Sequence, residues 1–138
     1  MIVADTTVWI DFLEARATPQ DLHLTRLIEE GAPVGLTDMI YCEVLQGIGP
    51  DATFRRTREL LRAFPILCVS GLETFEEASA IYRACRKKGL TIRSTVDCLI
   101  AAVCLEAGAE LFHNDRDFDA IAKVRGLRLH RMLPKEVV

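Results

Sequence analysis

Short apolar runs alternate along this chain with longer stretches in which apolar residues recur at helical spacing. The first run, residues 2–4, precedes Asp5 and a stretch whose Trp9, Phe12 and Leu13 would share one helix face. Further strands are predicted at 33–36, 65–69, 110–112 and 127–130, and further helices at 21–30, 39–48, 51–63, 72–88, 94–107 and 118–123. This alternation favours an α/β fold of three α/β/α layers around a mostly parallel sheet of four to five short strands.

The length and charge of the chain narrow the classes of protein to which it can belong. Its 138 residues suffice for a single domain, 1–138, and half of them are hydrophobic, which excludes a disordered chain. The formal net charge of −3 argues against nucleic-acid binding through bulk charge, so a polyanion would have to be met locally. No secretion signal opens the sequence, and its longest apolar stretch, 96–105, is too short for a bilayer. We therefore expect a cytoplasmic protein without membrane contact.

The cysteines indicate free thiols rather than disulfides or a zinc site. They are odd in number and contain no Cys-x-x-Cys pair, and Cys42, Cys98 and Cys104 lie within apolar helical patterns. The three histidines have no zinc-like spacing to any of them. Buried free thiols in a reducing cytosol are therefore the expected state.

Two acids stand within predicted helices that are otherwise apolar. Glu43 is the only charged residue in the stretch 39–49, and Asp97 begins a helix that is apolar on nearly every side. An acid in a covered helix must be paired, capped or bound to a cation. The alternative for Asp97 is a capping box with Ser94, and the alternative for Glu43 is a position at the rim with its carboxylate in water.

Three further acids directly follow predicted strands. Asp5 follows the first strand, and Asp115 and Asp117 follow the strand at 110–112. Ligands of open α/β sheets bind at the carboxyl ends of the strands. The alternatives are that Asp5 is only a helix N-cap, and that the other two form a solvated turn in which Asp117 is the N-cap. The spacing Asp115-x-Asp117-x-Asp119 also begins like a calcium loop, but the sixth and twelfth positions are not the required Gly and Glu.

Taken together, these acids predict a metal site at one edge of the sheet. Four of them are expected to converge there: Asp5, Glu43, Asp97 and Asp115. At a separation of roughly 5 Å, each like-charge pair costs about 3 kcal/mol at an effective dielectric constant of about 20. A divalent cation would relieve this repulsion, and oxygen ligands without His or Cys select Mg²⁺ or Mn²⁺. Such sites commonly act on phosphate esters.

Four segments, taken in order, resemble motifs of the PIN-domain ribonucleases and of the VapC-type toxins among them. They are IVADTTVW at 2–9, YCEVLQG at 41–47, RSTVDCLIAA at 93–102 and HNDRDF at 113–118. The resemblance spans essentially the whole chain. It implies a PIN-like fold and a Mg²⁺-dependent endoribonuclease, with Mn²⁺ as a possible substitute, that acts as the toxin of a type II toxin–antitoxin pair. It also implies an RNA substrate, a homodimer, inhibition by a VapB-like antitoxin, and no specific DNA binding by the toxin itself.

The resemblance further implies roles for particular acids. It places the catalytic metal site on Asp5, Glu43, Asp97, Asp115 and, as an accessory acid, Asp117. Asp5, Asp97 and Asp115 would bind the metal directly or through water. Glu43 would hold water or a second ion and assist deprotonation.

Polar and basic neighbours complete the expected site. Thr6 and Asn114 match polar positions beside the metal, where they would orient water or a phosphate oxygen. Arg93 and Arg116 are candidate phosphate contacts, and an ion pair with a nearby Asp is the alternative for each. Thr7 is a mild departure from the family, which often has Ser there, but a hydroxyl is retained.

Three other classes of protein share parts of this pattern. A haloacid-dehalogenase-like phosphatase also has an Asp after its first strand, but it needs a second Asp where this chain has Thr7. A receiver domain needs a phosphoacceptor Asp after a central strand, and the predicted strand at 65–69 ends in Ser70. A catalytically silent PIN fold that serves as an RNA- or protein-binding scaffold remains the alternative, although such folds usually lack one or more acids.

Overall fold

A computed structural model describes residues 1–132 and contains a four-stranded parallel sheet. Its strands are β1 (Ile2–Ala4), β2 (Val34–Thr37), β3 (Ile66–Leu67) and β4 (Glu110–Phe112), in the spatial order β3-β2-β1-β4. The helices are α1 (Thr6–Leu13), α2 (Pro19–Glu29), α3 (Asp38–Gln46), α4 (Asp51–Arg62), α5 (Leu72–Lys87), α6 (Thr95–Ala107) and α7 (Arg116–Arg125). The predicted α/β fold with a parallel sheet is confirmed.

The register of the sheet determines where the acids emerge. Strand β1 lies between β2 and β4, with Val3 opposite Gly35 on one side and Leu111 on the other. The backbone N–H of Asp5 then donates to the carbonyl oxygen of Phe112 at 2.9 Å. Asp5 therefore lies beside the residues that follow β4, at the carboxyl edge of the sheet.

Two predicted strands differ from the structure. Within the described residues, the predicted strand at 127–130 is reduced to one isolated bridge between Leu111 and Leu129. The predicted strand at 65–69 keeps only Ile66 and Leu67, and beyond them the backbone N–H of Val69 donates to the Asp38 carboxylate at 2.9 Å and is lost to the strand ladder. In both cases an apolar pattern was present, but the hydrogen-bonded pairing with the neighbouring strand is shorter than the pattern predicted.

Helix boundaries also move where a side chain caps the first turn. Helix α2 begins at Pro19 rather than at 21, because the Thr18 hydroxyl accepts a hydrogen bond from the Asp21 N–H at 3.1 Å. Helix α7 begins two residues before the predicted 118, because Asp115 caps it. Cys42, predicted to be buried, is exposed, whereas Cys98 and Cys104 are buried as expected. No helix within residues 1–132 is long and apolar enough to cross a membrane.

Candidate metal centre

The structure brings the predicted acids to the carboxyl edge of the sheet from four different elements. Asp5 follows β1, Glu43 lies in α3, Asp97 lies in the first turn of α6, and Asp115 precedes α7. One carboxylate oxygen each of Asp97, Asp115 and Asp117 lies within 4.8 Å of the other two. The charges of Asp5 and Glu43 act on the same cluster, as the pKa values of Asp5 and Asp97 show.

Asp5 is the most deeply placed of these acids. Its residue surface is only 5% exposed, and burial raises the pKa of its carboxyl from 3.8 to about 7. The backbone N–H of Thr6 opposes that rise in pKa, and the charges of Asp97, Glu43 and Asp115 add to it. Although Asp5 precedes α1, its side chain makes no capping hydrogen bond with any described residue. Asp5 therefore occupies the N-cap position of α1 without the side-chain hydrogen bond that a cap would make.

Asp97 is a half-buried acid that faces other acids. The pKa of its carboxyl is raised from 3.8 to about 6, chiefly by burial and then by the charges of Asp115, Glu43 and Asp117, against the opposing effect of Arg93. The capping-box alternative is wrong, since the Ser94 side chain makes no capping hydrogen bond within the part of the chain described here. Asp97 therefore has no local structural partner that explains its place in an apolar helix.

Glu43 is held by a hydroxyl from the first residue of α1. The Thr6 Oγ1 donates to Glu43 Oε1 at 2.7 Å, across 37 residues of sequence. This contact fixes the carboxylate at the site and leaves its second oxygen for other partners. The alternative that Glu43 points into water at a rim does not describe this geometry. Thr6, predicted to orient water or phosphate, instead orients an acid.

Asp115, Asp117 and Arg93 form a connected group. Asp115 Oδ1 accepts the Asp117 N–H at 2.9 Å, so Asp115, and not Asp117, caps α7. Asp117 Oδ2 accepts from the Arg93 backbone N–H at 3.3 Å and from its Nε at 3.4 Å. A further Arg93 nitrogen lies 3.5 Å from Asp115 Oδ1. The ion pair left open for Arg93 is therefore present, and it partly neutralises two of the clustered acids.

His113 takes part in the site, although sequence analysis did not select it. Its Nδ1 accepts the Asp115 N–H at 2.9 Å, so its ring proton lies on Nε2, which is 3.3 Å from Asp119. Burial lowers the pKa of this imidazole. A neutral His113 thus positions the backbone of Asp115. The only sequence signal was a histidine directly after a buried strand, and without zinc-like spacing it carried no prediction.

Asn114 and Arg116 are exposed beside the acids, and neither makes a side-chain hydrogen bond within residues 1–132. Two cavities flank the carboxylates and share Arg116 in their walls. One, of about 570 Å³, also contains Arg93 and Lys123, and the other, of about 410 Å³, also contains Asn114 and Arg131. Open space whose lining combines basic side chains with the acids therefore adjoins the cluster on two sides.

The donor set fits a hard divalent cation. Every candidate ligand atom is a carboxylate oxygen, and no Cys or His belongs to the three-residue group found among the described residues. Such ligands suit Mg²⁺ or Mn²⁺ rather than zinc. A divalent cation would also offset the repulsion that contributes to the raised pKa values of Asp5 and Asp97.

The sequence matches the family described as PIN domain over residues 2–124. It is 37% identical over 129 residues to VapC ribonuclease Mb1587 of Mycobacterium bovis and to ribonuclease VapC11 of Mycobacterium tuberculosis. Each alignment covers 93% of this chain and 96% of the relative. The chain belongs to the PIN-domain family, and to the VapC group within it.

Several solved structures have the same fold as this chain. VapBC2 from Rickettsia felis, bound to a DNA fragment from its promoter, superposes with a TM-score of 0.74 at 18% identity, covering 94% of this chain and 98% of that chain. VapBC-1 from nontypeable Haemophilus influenzae superposes with a TM-score of 0.73 at 20% identity, covering 94% and 97%. At such low identity, these matches show that the fold is shared.

Proposed function

We propose that this chain is a Mg²⁺-dependent endoribonuclease that acts as the toxin of a type II toxin–antitoxin pair. The observation that carries the proposal is the convergence of five carboxylates at one sheet edge, with Arg93 as their one close ion-pairing cation among the described residues. A chain that keeps such a repulsive cluster needs a compensating ligand, and a divalent cation suits its oxygen donors. The curated relatives, at 37% identity, are named as ribonucleases.

Different residues would carry out different parts of the hydrolysis. Asp5, Asp97 and Asp115 would hold the ion, which would supply an activated water and stabilise charge on the phosphate and the leaving oxygen. Glu43, fixed through one oxygen by Thr6, presents its other oxygen to take a proton from the attacking water. The water oxygen would then form the new bond to phosphorus while the bond to the leaving oxygen breaks, and solvent would supply the proton that the leaving oxygen takes up.

The basic side chains around the acids would bind the RNA backbone. Arg116 stands between the two cavities, and Lys123 lines the larger of them. Because the chain as a whole carries a formal charge of −3, phosphate binding must depend on such local cations. Arg93 is already paired with two acids, so Arg116 is the stronger phosphate contact of the two predicted arginines.

A VapB-like antitoxin and a second copy of the chain are the proposed partners in the cytoplasm. Solved relatives of this fold are VapBC complexes. Several large apolar side chains are exposed on the helices and would be covered by such partners: Leu22, Leu60, Leu72, Phe75 and Tyr82. An arginine from an antitoxin tail could reach the acids as a substitute cation, in the way Arg93 pairs with them here.

Metal dependence tests the activity. RNA should be cleaved with Mg²⁺ or Mn²⁺ and left intact in EDTA, because the carboxylates cannot activate water alone. Glu59→Gln removes an exposed carboxylate on α4 and should cleave like the parent, which controls for loss of one charge. Full cleavage after rigorous chelation would contradict the mechanism. A well-folded protein that cleaves no RNA with either metal would favour the silent scaffold.

Toxicity tests the biological role. Expression of the chain alone should slow growth, and Asp5→Asn or Asp97→Asn should each abolish that effect while the protein still folds. If both variants remain toxic, the toxicity does not come from RNA cleavage. Full inhibition by a cognate antitoxin whose C-terminal tail has lost every Arg would show that no arginine substitutes for the metal.

Arg93 should compete with the metal as a counter-ion. Arg93→Gln is expected to lower the melting temperature in EDTA by about 3 °C, since a partly exposed ion pair contributes little, and to enlarge the rise produced by Mg²⁺. Thermal melts with and without Mg²⁺ measure both effects. Arg55→Gln, which changes an exposed arginine on α4, is the matched control. An unchanged response to Mg²⁺ in Arg93→Gln would mean that Arg93 and the metal do not compete.

A further inference from the structure

A line of polar side chains, apart from the carboxylate cluster, connects α2 to the segment that follows α7 and to the start of β4. An Arg26 guanidinium nitrogen lies 3.3 Å from His23 Nδ1. His23 Nε2 lies 2.9 Å from His130 Nε2, across 107 residues of sequence. His130 Nδ1 in turn lies 3.6 Å from a Glu110 carboxylate oxygen, close enough for charge attraction although beyond an ordinary hydrogen bond.

The two ends of this line determine where the ring protons lie. Arginine can only donate, so His23 Nδ1 must accept and the single proton of a neutral His23 must lie on Nε2. That N–H donates to His130 Nε2, which leaves the His130 proton on Nδ1, where the Glu110 carboxylate favours it. A proton added to either ring would set two donors against each other, at the contact between the rings or at Arg26. The whole line from Arg26 to Glu110 is therefore satisfied only when both rings are neutral.

The packing around the pair disfavours an added charge. His23 is buried, and its ring meets the edge of Phe112 with centroids 5.2 Å apart. The His130 ring also packs edge-on against Phe112, at 5.6 Å. An aromatic ring packed against both imidazoles offers no hydrogen bonds to a charged ring, so protonation would disturb the packing as well as the contacts.

Charged groups face the pair from both neighbouring elements. Arg26 and Glu30 face it from α2, and Glu110 faces it from β4. Burial lowers the pKa of His23, His130 and Arg26 lower it further, and Glu30 opposes them. His23 therefore stays neutral at pH 7, where an unperturbed imidazole is also largely neutral.

His130 belongs to a segment that shapes the proposed substrate site. The Leu111 N–H donates to the Arg128 carbonyl at 2.9 Å, and the His130 N–H donates to the Leu111 carbonyl at 2.8 Å. Beyond this one bridge, residues 127–132 have no strand pairing within the described chain. The cavity of about 410 Å³ has His130 and the two following residues in one wall and Asp115 in another.

We propose that His23 and His130 form a latch, closed only when both rings are neutral, that holds residues 127–132 as one wall of the cavity beside Asp115. Acidification adds a proton to the pair: on His130 it opposes the His23 N–H at the contact between the rings, and on His23 it removes the contact with Arg26. Either change opens the line of contacts and releases the segment. A histidine whose pKa is lowered by folding contributes stability that is lost as pH falls below about 6.5. The latch itself follows from the contacts above, whereas its effect on RNA cleavage rests on the proposed function.

Histidine NMR on a preparation without a histidine tag tests the latch directly. At about pH 8, His23 should carry its proton on Nε2 and His130 on Nδ1, so the two rings are opposite tautomers. His113, whose Nδ1 accepts a backbone N–H, serves as an internal reference for the Nε2 tautomer. Finding the same tautomer for His23 and His130, or finding that they titrate independently, would overturn the proposal.

Hydrogen exchange then tests what the latch holds. Between about pH 8 and about pH 5, after correction for intrinsic exchange, the protection of the His130 amide should fall at least about tenfold. In His130→Gln the amides near residue 130 should be weakly protected at both pH values. In Arg26→Gln the loss of protection should shift to higher pH, because the substitution removes a cation beside His23. Protection that is independent of pH in the parent would contradict the latch.

A kinetic measurement connects the latch to cleavage. In His130→Gln at neutral pH, the KM for RNA should rise about threefold or more while kcat changes little, since His130 lies outside the carboxylate cluster. An unchanged KM would overturn the effect on the cavity. If no RNA is cleaved under any condition, the proposed function fails, yet the tautomers and amide protection still decide whether the latch exists.

Discussion

The Asp97→Asn variant is expected to have a higher melting temperature than the parent in EDTA. With Mg²⁺ it should cleave RNA at least about a hundredfold more slowly, since changes to residues around metal ligands can by themselves lower activity by up to that factor. At pH 8 the parent carries a charged Asp97 that faces Asp115, Glu43 and Asp117. Asn is nearly isosteric and removes the repulsion. After allowance for solvent screening, we expect a gain of about 1–2 kcal/mol, or roughly 5 °C in melting temperature.

The response to metal separates a ligand from a structural residue. Mg²⁺ should raise the melting temperature of the parent by mass action and leave Asp97→Asn nearly unchanged. Glu59→Gln should match the parent in EDTA, in Mg²⁺ and in activity. A variant that is less stable than the parent in EDTA and equally responsive to Mg²⁺ would show that Asp97 stabilises its helix and does not bind the ion.

The second large effect is a loss of stability of the metal-free protein as pH rises. Asp5 has a pKa of about 7 in the folded chain against an ordinary value of 3.8. Between these values the folded state keeps a proton that the unfolded state has released, so the free energy of unfolding falls with rising pH. The difference corresponds to about 4 kcal/mol when complete, and Asp97 adds an effect of the same sign.

Urea unfolding in EDTA at about pH 5 and about pH 8 measures this loss. Asp5→Asn should remove most of it, and Mg²⁺ should oppose it in the parent at the higher pH. In Asp5→Asn the remaining change should be small, because Asp97 still lowers the stability as pH rises whereas His23 contributes with the opposite sign. If the parent is equally stable in EDTA at both pH values, Asp5 does not keep a proton in the folded state at pH 5.

The sequence specified the helices, the central strands and the unusual acids, because these depend on local patterns. The bounds of β1 and β4 agree with those predicted, since each is a short apolar run between polar residues. Asp5 and Asp97 could be selected because a charge beside or within an apolar element costs free energy unless it has a partner. The same local logic failed for residues 127–130, where an apolar pattern was present but only Leu129 meets a partner.

Only the tertiary structure decided which distant side chains meet. Arg93 pairs with Asp117 across 24 residues, Thr6 donates to Glu43 across 37, and His23 touches His130 across 107. A periodic pattern tells which face of an element is buried, because burial is set residue by residue along that element. It does not tell which element will cover that face. Which residues meet across such long stretches of sequence depends on the order of the strands and on the packing of the helices. The tertiary structure therefore determines which cation pairs with the acids and which ring nitrogens of the imidazole pair carry the protons.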